Sequence, residues 1–365
     1  MSTSTNARTA RSNPVAAAAD LARHSARAAV YYGLNRLTSR IAKRQLADVT
    51  PFKPTRPVPT ERAMLAEVWN LLKSDAQLVR DGICLAPRPA SPADLATPLE
   101  WLGRVREMVA DVPAVARRYK ERDGHEVVRD APTAELAGDL PDYYRQNFHF
   151  QTGGYLTEGS ARVYDVQVET LFMGTAMLMR RQALRPIAKH IHGRDQRTMQ
   201  LCDVACGTGH FLGEVLEAFP RLNVTGVDLS DEYLDEARRQ LRHRHGVTLN
   251  LGNAEALPLP DASQDIVTCV FLFHELPHGV RRQVVAEFAR VLKPGGLLVF
   301  IDSLQWSDKP EWAGLLEAFP VRFHEPYYRN YLDDDLDALF AGAGLAASGH
   351  WNAFMSKIVV RKKVG

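Results

Sequence analysis

Asp203, Gly207, Gly209 and Asp228 are the residues of this chain whose types and spacing bear most directly on chemistry. The stretch Asp203-Val204-Ala205-Cys206-Gly207-Thr208-Gly209 follows an apolar lead and opens onto a helical pattern at 210–219. Small residues at such a turn let the backbone approach a ligand and take up positive φ. Asp228 stands 19 residues after Gly209, at the end of a second apolar run. A carboxylate there can accept hydrogen bonds from both hydroxyls of a ribose.

Residues suited to proton handling follow later. Phe271-Leu272-Phe273-His274-Glu275 closes a third apolar run. His274 titrates near neutral pH and suits a general base, with Glu275 orienting it or carrying the proton. The competing reading is that His274 caps the next segment and packs inward. Asp302 ends a further apolar run beside Ser303, and Phe323-His324-Glu325-Pro326-Tyr327-Tyr328-Arg329 offers two tyrosines, a histidine and an arginine. His324, Tyr327 and Tyr328 either bind an aromatic acceptor or pack as an ordinary loop. Tyr143, Tyr144, Phe148, His149, Phe150 and Tyr155 crowd together with Gln146, Asn147 and Gln151, a mix that suits a pocket wall as well as a core.

The elements that must position these residues alternate. Strands are expected at 200–205, 223–228, 247–251, 265–271, 297–302, 346–349 and 353–361, with helices at 210–219, 231–243, 280–292 and 332–343. Such alternation implies an α/β fold with a doubly wound, mostly parallel, seven-stranded Rossmann-like sheet. Ligands of these sheets sit beyond the carboxyl ends of the strands. Upstream, a helix is expected over 161–192, its Met-rich stripe read as core. Thr60 can cap a helix to Arg80 with Met64, Leu65, Val68, Leu72 and Val79 inward. Residues 99–122 give a helical pattern interrupted at Pro113, and residues 86–98 a Pro-rich connection. The domain plan is thus 1–50, a helical extension over 60–140, an aromatic and Met-rich lid with its lead-in helix over 141–195, and the sheet domain over 196–365.

The glycine spacing separates two cofactors. The small residues fall at Ala205, Gly207 and Gly209, and His210 holds the place of a dinucleotide fingerprint's third glycine. This suits S-adenosylmethionine better than NAD. At these residues the chain resembles the class I S-adenosylmethionine-dependent methyltransferase family, in particular its quinone-biosynthesis-like branch. Gly252-Asn253-Ala254-Glu255-Ala256-Leu257-Pro258 resembles the family's adenine-binding turn. Asp261 to Val267 resembles the lead into its fourth strand, and Val291-Leu292-Lys293-Pro294-Gly295-Gly296 its turn into the fifth. The final strands resemble the antiparallel hairpin that closes the family's sheet. The resemblance covers roughly residues 165–361. It implies that Asp203, Ala205, Gly207, Gly209, Asp228, Leu229, Asn253, Ala254 and Phe271 meet S-adenosylmethionine. It places His274 and Glu275 on the catalytic side, and Tyr155, Asp302, His324, Tyr327 and Tyr328 near a small apolar or aromatic acceptor. A protein or RNA methyltransferase and a cofactor-binding module without turnover are the alternatives.

Two departures stand out. Ala205 replaces the first glycine, so the turn must be right-handed or extended there, or carry a steric cost. Asn253 replaces an acid, keeping an acceptor without its charge.

Composition narrows the classes. The chain has 365 residues, 45% hydrophobic and 24% charged, ordinary for a globular protein. Residues 1–50 hold eight Lys/Arg and two Asp/Glu, so a total of +2 leaves the remainder near −4, a poor match for nucleic acid. Four cysteines without C-x-x-C or Cys/His spacing argue against a zinc site, and displacement at a sulfonium requires no metal. No apolar run reaches transmembrane length and no signal-peptide core is present, which with free thiols suits the cytoplasm. Residues 1–13 are expected to be disordered. Residues 15–47 form a basic amphipathic helix with Val30, Leu34, Leu37 and Ile41 as its stripe. It is read either as a helix docked on its own protein, or as a peripheral membrane contact or mitochondrial-type presequence. Pro51 to Pro59 holds four prolines and reads as a stiff linker. Oligomeric state is open.

Overall fold

The computed structural model describes residues 14–85, 97–138 and 140–365. The expectations for residues 1–13 and for most of the 86–98 connection lie outside the described residues.

Among the described residues four helices precede the aromatic segment 143–155: α1 (Pro14–Gln45), α2 (Glu61–Arg80), α3 (Pro98–Glu121) and α4 (Ala131–Ala137). The Thr60 side chain caps α2 by accepting from the Ala63 N–H. Leu72 is buried as expected, but Leu65 is 58% exposed and Leu71, Ala76 and Leu78 turn inward instead. α3 runs through Pro113 without a break. Proline removes one helical hydrogen bond and strains the preceding turn, and flanking turns on both sides carry the helix across.

α1 packs on α2, α3 and α5. Its buried face is not the expected stripe, since Val30 and Leu37 are 46% and 44% exposed whereas His24 and Tyr31 are buried. Polar contacts set the rotation of the helix. His24 Nε2 lies 2.9 Å from the buried Asp75 carboxylate, and Arg27 pairs with buried Glu169 at 3.0 Å.

The expected single helix over 161–192 is three: α5 (Glu158–Leu171), α6 (Ala176–Arg181) and α7 (Leu184–Ile191). The break falls at Met173 and Gly174, both at positive φ. Gly174 passes so close to α1 that an added Cβ would lie 3.0 Å from the Ala28 Cα, so the kink and the seating of α1 are one feature.

The sheet domain follows as β1 (Gln200–Val204), α8 (His210–Ala218), β2 (Asn223–Asp228), α9 (Asp231–Leu241), β3 (Val247–Leu251), β4 (Gln264–Val270), α10 (His278–Val291) and β5 (Leu292–Ser303). It ends with α11 (Ala313–Arg322), α12 (Tyr328–Leu332), α13 (Leu336–Gly342), β6 (Leu345–Ala353) and β7 (Ser356–Lys363). The seven strands lie in the order β3-β2-β1-β4-β5-β7-β6. Pairing is parallel from β3 to β5 and antiparallel on both sides of β7. The doubly wound sheet with its antiparallel C-terminal hairpin and N-terminal helices is therefore as expected. The helix expected at 332–343 is split into α12 and α13 around Asp333–Asp335, where the Asp335 side chain caps α13.

The core lies on both faces of the sheet. Leu201, Ile266, Val299 and Ile358 face α6, α7 and α8, while Val204, Val267, Phe300 and Val359 face α10, α12 and α13. Each side chain buried in this way contributes about 1.5–3 kcal/mol. This two-sided burial makes the strands rigid, so their carboxyl ends form a fixed platform for the turns that follow. The strand order reverses direction between β1 and β4, which opens a crevice there.

Candidate active site

A cavity sits at that crevice. Its floor is built by the turns after β1, β2, β3 and β4, and its roof by the aromatic segment 143–155 with Tyr164 and Tyr233. Tyr155 stacks on Phe148 at 5.2 Å and meets Tyr233 edge-on at 5.5 Å. Ser230 at the start of α9 donates to the Tyr155 carbonyl at 2.8 Å, which pins the roof to the floor.

The turn after β1 is held from below. Ala205 has φ +58, so the steric cost of lacking glycine is accepted there, on the order of 1–2 kcal/mol. Gly207, at φ +53, donates its N–H to Asp228 Oδ2 at 2.7 Å, while Ser230 N–H donates to Asp228 Oδ1 at 3.0 Å. Both carboxylate oxygens keep further lone pairs, and Asp228 lines the cavity beside Leu229. Burial raises the Asp228 pKa, and the two N–H groups oppose that rise. Gly209 lies away from the cavity wall. It begins α8 at φ +74, and an added Cβ would lie 2.9 Å from Leu241, so its role is to seat α8 on α9.

Asp203 is likewise beneath the wall. It accepts from Thr268 Oγ1 at 2.6 Å, and burial pushes its carboxyl up to about 7, with Thr268 opposing and Asp228 adding to the shift. Asn253 and Ala254 line the cavity after β3. The Asn253 amide oxygen accepts from the Glu255 N–H at 2.9 Å, and its Nδ2 donates to Glu255 Oε1 at 3.0 Å. Tyr143 donates to the same oxygen at 2.6 Å, tying the roof to this turn. Phe271, at φ +59, faces the cavity after β4.

At the far end Glu275 reaches the wall and accepts from Tyr155 OH at 2.6 Å. His274 turns inward. Its Nδ1 is 2.6 Å from Asp302 Oδ1, and its ring meets Tyr328 and Tyr331 edge-on at 5.8 and 6.3 Å. Burial alone would lower the His274 pKa, but the Asp302 carboxylate overrides it and holds the imidazole above its usual value. Asp302 is itself tied by the Phe273 and Ser303 N–H groups at 2.7 Å each.

The acceptor-side candidates divide. Tyr155 and Glu275 are on the cavity wall; His274, Asp302, His324, Tyr327 and Tyr328 are not. Tyr328 is buried and its hydroxyl pairs with Ser303 Oγ. His324 Nε2 lies 2.9 Å from Gln146 Oε1, and burial followed by the charges of His125 and His149 pushes its pKa down to about 4. Tyr327 gives its carbonyl to Arg281 at 3.0 Å. These five positions build the support under and beside the roof.

Two residues near the cavity escaped the sequence reading. Arg180 on α6 is 5% exposed, and its guanidinium carbon lies 5.8 Å from the Phe271 ring centre. Among the described residues its Nη1 has no hydrogen-bond partner. A buried cation beside a ligand cavity is costly without an anion. Glu325 is the other: it is 1% exposed and faces His149. A helical arginine next to another in a Met-rich stretch, and a loop glutamate before proline, carry no local signal of either position.

Residues 201–296 match a family model described as a methyltransferase domain. Over 148 residues the chain is 36% identical to the demethylmenaquinone methyltransferase of Listeria welshimeri, covering 38% of this chain and 61% of that protein. It is 36% identical over 140 residues to the demethylmenaquinone methyltransferase of Deinococcus radiodurans, covering 38% and 55%. The chain thus spans about three fifths of the length of these relatives. Among solved structures, a SAM dependent methyltransferase from Aquifex aeolicus is similar at 19% identity and a TM-score of 0.39, with 52% of this chain and 93% of that one covered. A geranyl diphosphate C-methyltransferase from Streptomyces coelicolor, solved with Mg2+, geranyl diphosphate and S-adenosyl-L-homocysteine, is similar at 16% identity and a TM-score of 0.40, with 54% and 83% covered.

Proposed function

We propose that this chain, whose residues 201–296 match a methyltransferase-domain model, moves a methyl group from S-adenosylmethionine to a small, aromatic, quinone-like acceptor. The observation that carries the proposal is that one cavity wall brings together Gly207, Asp228, Asn253 and Glu275. In this reading Asp228 accepts from the ribose hydroxyls, with Leu229 and Ala254 on either side of the adenine. The Asn253 side chain already bonds within its own turn, so adenine recognition there rests on backbone and shape more than on that amide. Arg180 supplies the positive charge that meets the methionine carboxylate.

The transfer is an in-line displacement. The acceptor's electron pair forms the new bond to the methyl carbon while the sulfur–carbon pair stays on sulfur, leaving a neutral thioether. Catalysis then rests on alignment and on exclusion of water, which the tyrosine roof provides. Where the acceptor carries a proton, Glu275 is the wall group that takes it, and His274 with Asp302 behind it acts as a positioning pair. Apart from Arg180, which stands behind Phe271 at the cofactor end, no Lys, Arg or His among the described residues comes to the cavity lining, which supports a small neutral acceptor over a nucleic acid. The name of the 36% identical relatives supports a quinone-like ring.

The test incubates the full chain with S-adenosylmethionine and a reduced, demethylated naphthoquinone. The expected product is one CH2 heavier by mass spectrometry. Cofactor binding without any product from naphthoquinols, phenols or catechols would remove the acceptor assignment.

A further inference from the structure

We propose that His149, Glu275 and Glu325 form a divalent transition-metal site at the acceptor end of the cavity, open on one side to an oxygen of the acceptor. The three residues come from the roof, the turn after β4 and the segment between α11 and α12, and their ligand atoms all lie within 4.8 Å of one another. His149 Nε2 is 3.2 Å from Glu325 Oε1 and 3.7 Å from Glu275 Oε1. A cation with bonds of about 2.0–2.2 Å sets neighbouring ligand atoms about 3.0–3.5 Å apart, so small side-chain adjustments complete the cage.

Glu325 is the independent observation. It is 1% exposed, and neither carboxylate oxygen has an aligned hydrogen bond among the described residues. Glu275 and Glu325 both face the same imidazole nitrogen, His149 Nε2. On the other flank Tyr155 OH bonds Glu275 Oε1 at 2.6 Å, and His274 Nε2 stands 3.9 Å from the same atom. Phe319 and Phe323 close the ring of His149 from outside, at centroid distances of 6.4 and 6.2 Å. The cluster therefore joins one imidazole and two carboxylates, with Glu325 buried and Glu275 reaching the cavity wall.

The donor set selects the ion. One imidazole with two carboxylates suits zinc or manganese more than magnesium, which prefers oxygen and retains water. Three protein ligands leave a position free, as in catalytic rather than structural sites. An acceptor hydroxyl bound there would ionise more readily, its proton passing to the carboxylate oxygen of Glu275 left free by the cation. This last role rests on the methyl-transfer reading; the metal site itself does not.

The experiment uses the full chain, stripped with a chelator and titrated calorimetrically with Zn2+ or Mn2+ alone. The wild type is expected to bind one equivalent, and Glu325→Gln and His149→Ala each to lose at least tenfold in affinity with unchanged circular dichroism. S-adenosylmethionine affinity, measured in parallel, should stay within twofold in all three, so failure of the methyltransferase reading shows itself separately. Catechol should bind the metal-loaded chain at least tenfold more tightly than the stripped chain. A stripped wild type that takes up neither ion, or variants that bind as the wild type does, overturns the site; equal catechol binding overturns its open position.

Discussion

The carboxylate of Asp228 holds the backbone N–H of Gly207 at 2.7 Å, so the end of β2 fixes the shape of the turn after β1. One side chain therefore does two things: it presents lone pairs to the cavity and it locks the glycine turn that forms the cavity floor. Substituting Asp228 should then disturb more than one hydrogen bond, and a neutral replacement that keeps the geometry should retain part of the function.

Arg180 gives the first prediction. Replacing it by Met removes the buried charge near Phe271 and keeps the bulk. S-adenosylmethionine should bind about 10–100-fold more weakly, the value of a charge-assisted hydrogen bond of about 1.5–3 kcal/mol, whereas adenosine, which lacks the carboxylate, should bind unchanged. Calorimetry with both ligands checks this. Equal losses for the two would mean that Arg180 acts through packing alone.

Asp203 gives a pH dependence. Burial holds its folded pKa at about 7 against an ordinary value of 3.8, a raised acid. The folded state therefore holds more protons than the unfolded chain between these values, and stability falls as pH rises from about 4 to about 7. Asp203→Asn should flatten the fall in denaturation midpoint across that window, an effect on the order of a few kcal/mol at most. A slope unchanged in the variant would remove Asp203 as its source.

His274 titrates with the same overall sign but in a higher window. Its folded pKa lies above 6.5, so its pairing with Asp302 stabilises fully at lower pH and is lost as pH rises through the folded value. His274→Gln should lower the melting temperature most below neutral pH, reduce kcat several-fold, and leave S-adenosylmethionine affinity unaltered. A loss of kcat beyond a thousandfold with full stability would instead make His274 a catalytic residue.

Much of this was legible in sequence because the sheet obeys a local rule. Continuous apolar runs ending in small or acidic residues mark β1, β2 and β4, and their carboxyl ends locate Gly207, Asp228 and Phe271 without tertiary information. Less legible was anything decided by a distant partner. The side of α1 that packs is set by Asp75 and Glu169, not by its own apolar stripe. Gly174 breaks the helix at 172–175 because α1 lies against it. His274 follows β4 as a ligand-facing residue would, yet Asp302 from the neighbouring strand turns it inward. His149, Glu275 and Glu325 are separated by 126 and 50 positions, and only the roof's closure brings them together.

The most direct measurement of the central claim is calorimetric titration of the full chain with S-adenosylmethionine, alongside Asp228→Ala and Asp228→Asn. A single site in the wild type, weakened at least tenfold in Asp228→Ala and less in Asp228→Asn, is the predicted result. No binding by the intact chain, or equal affinity in all three proteins, would contradict it.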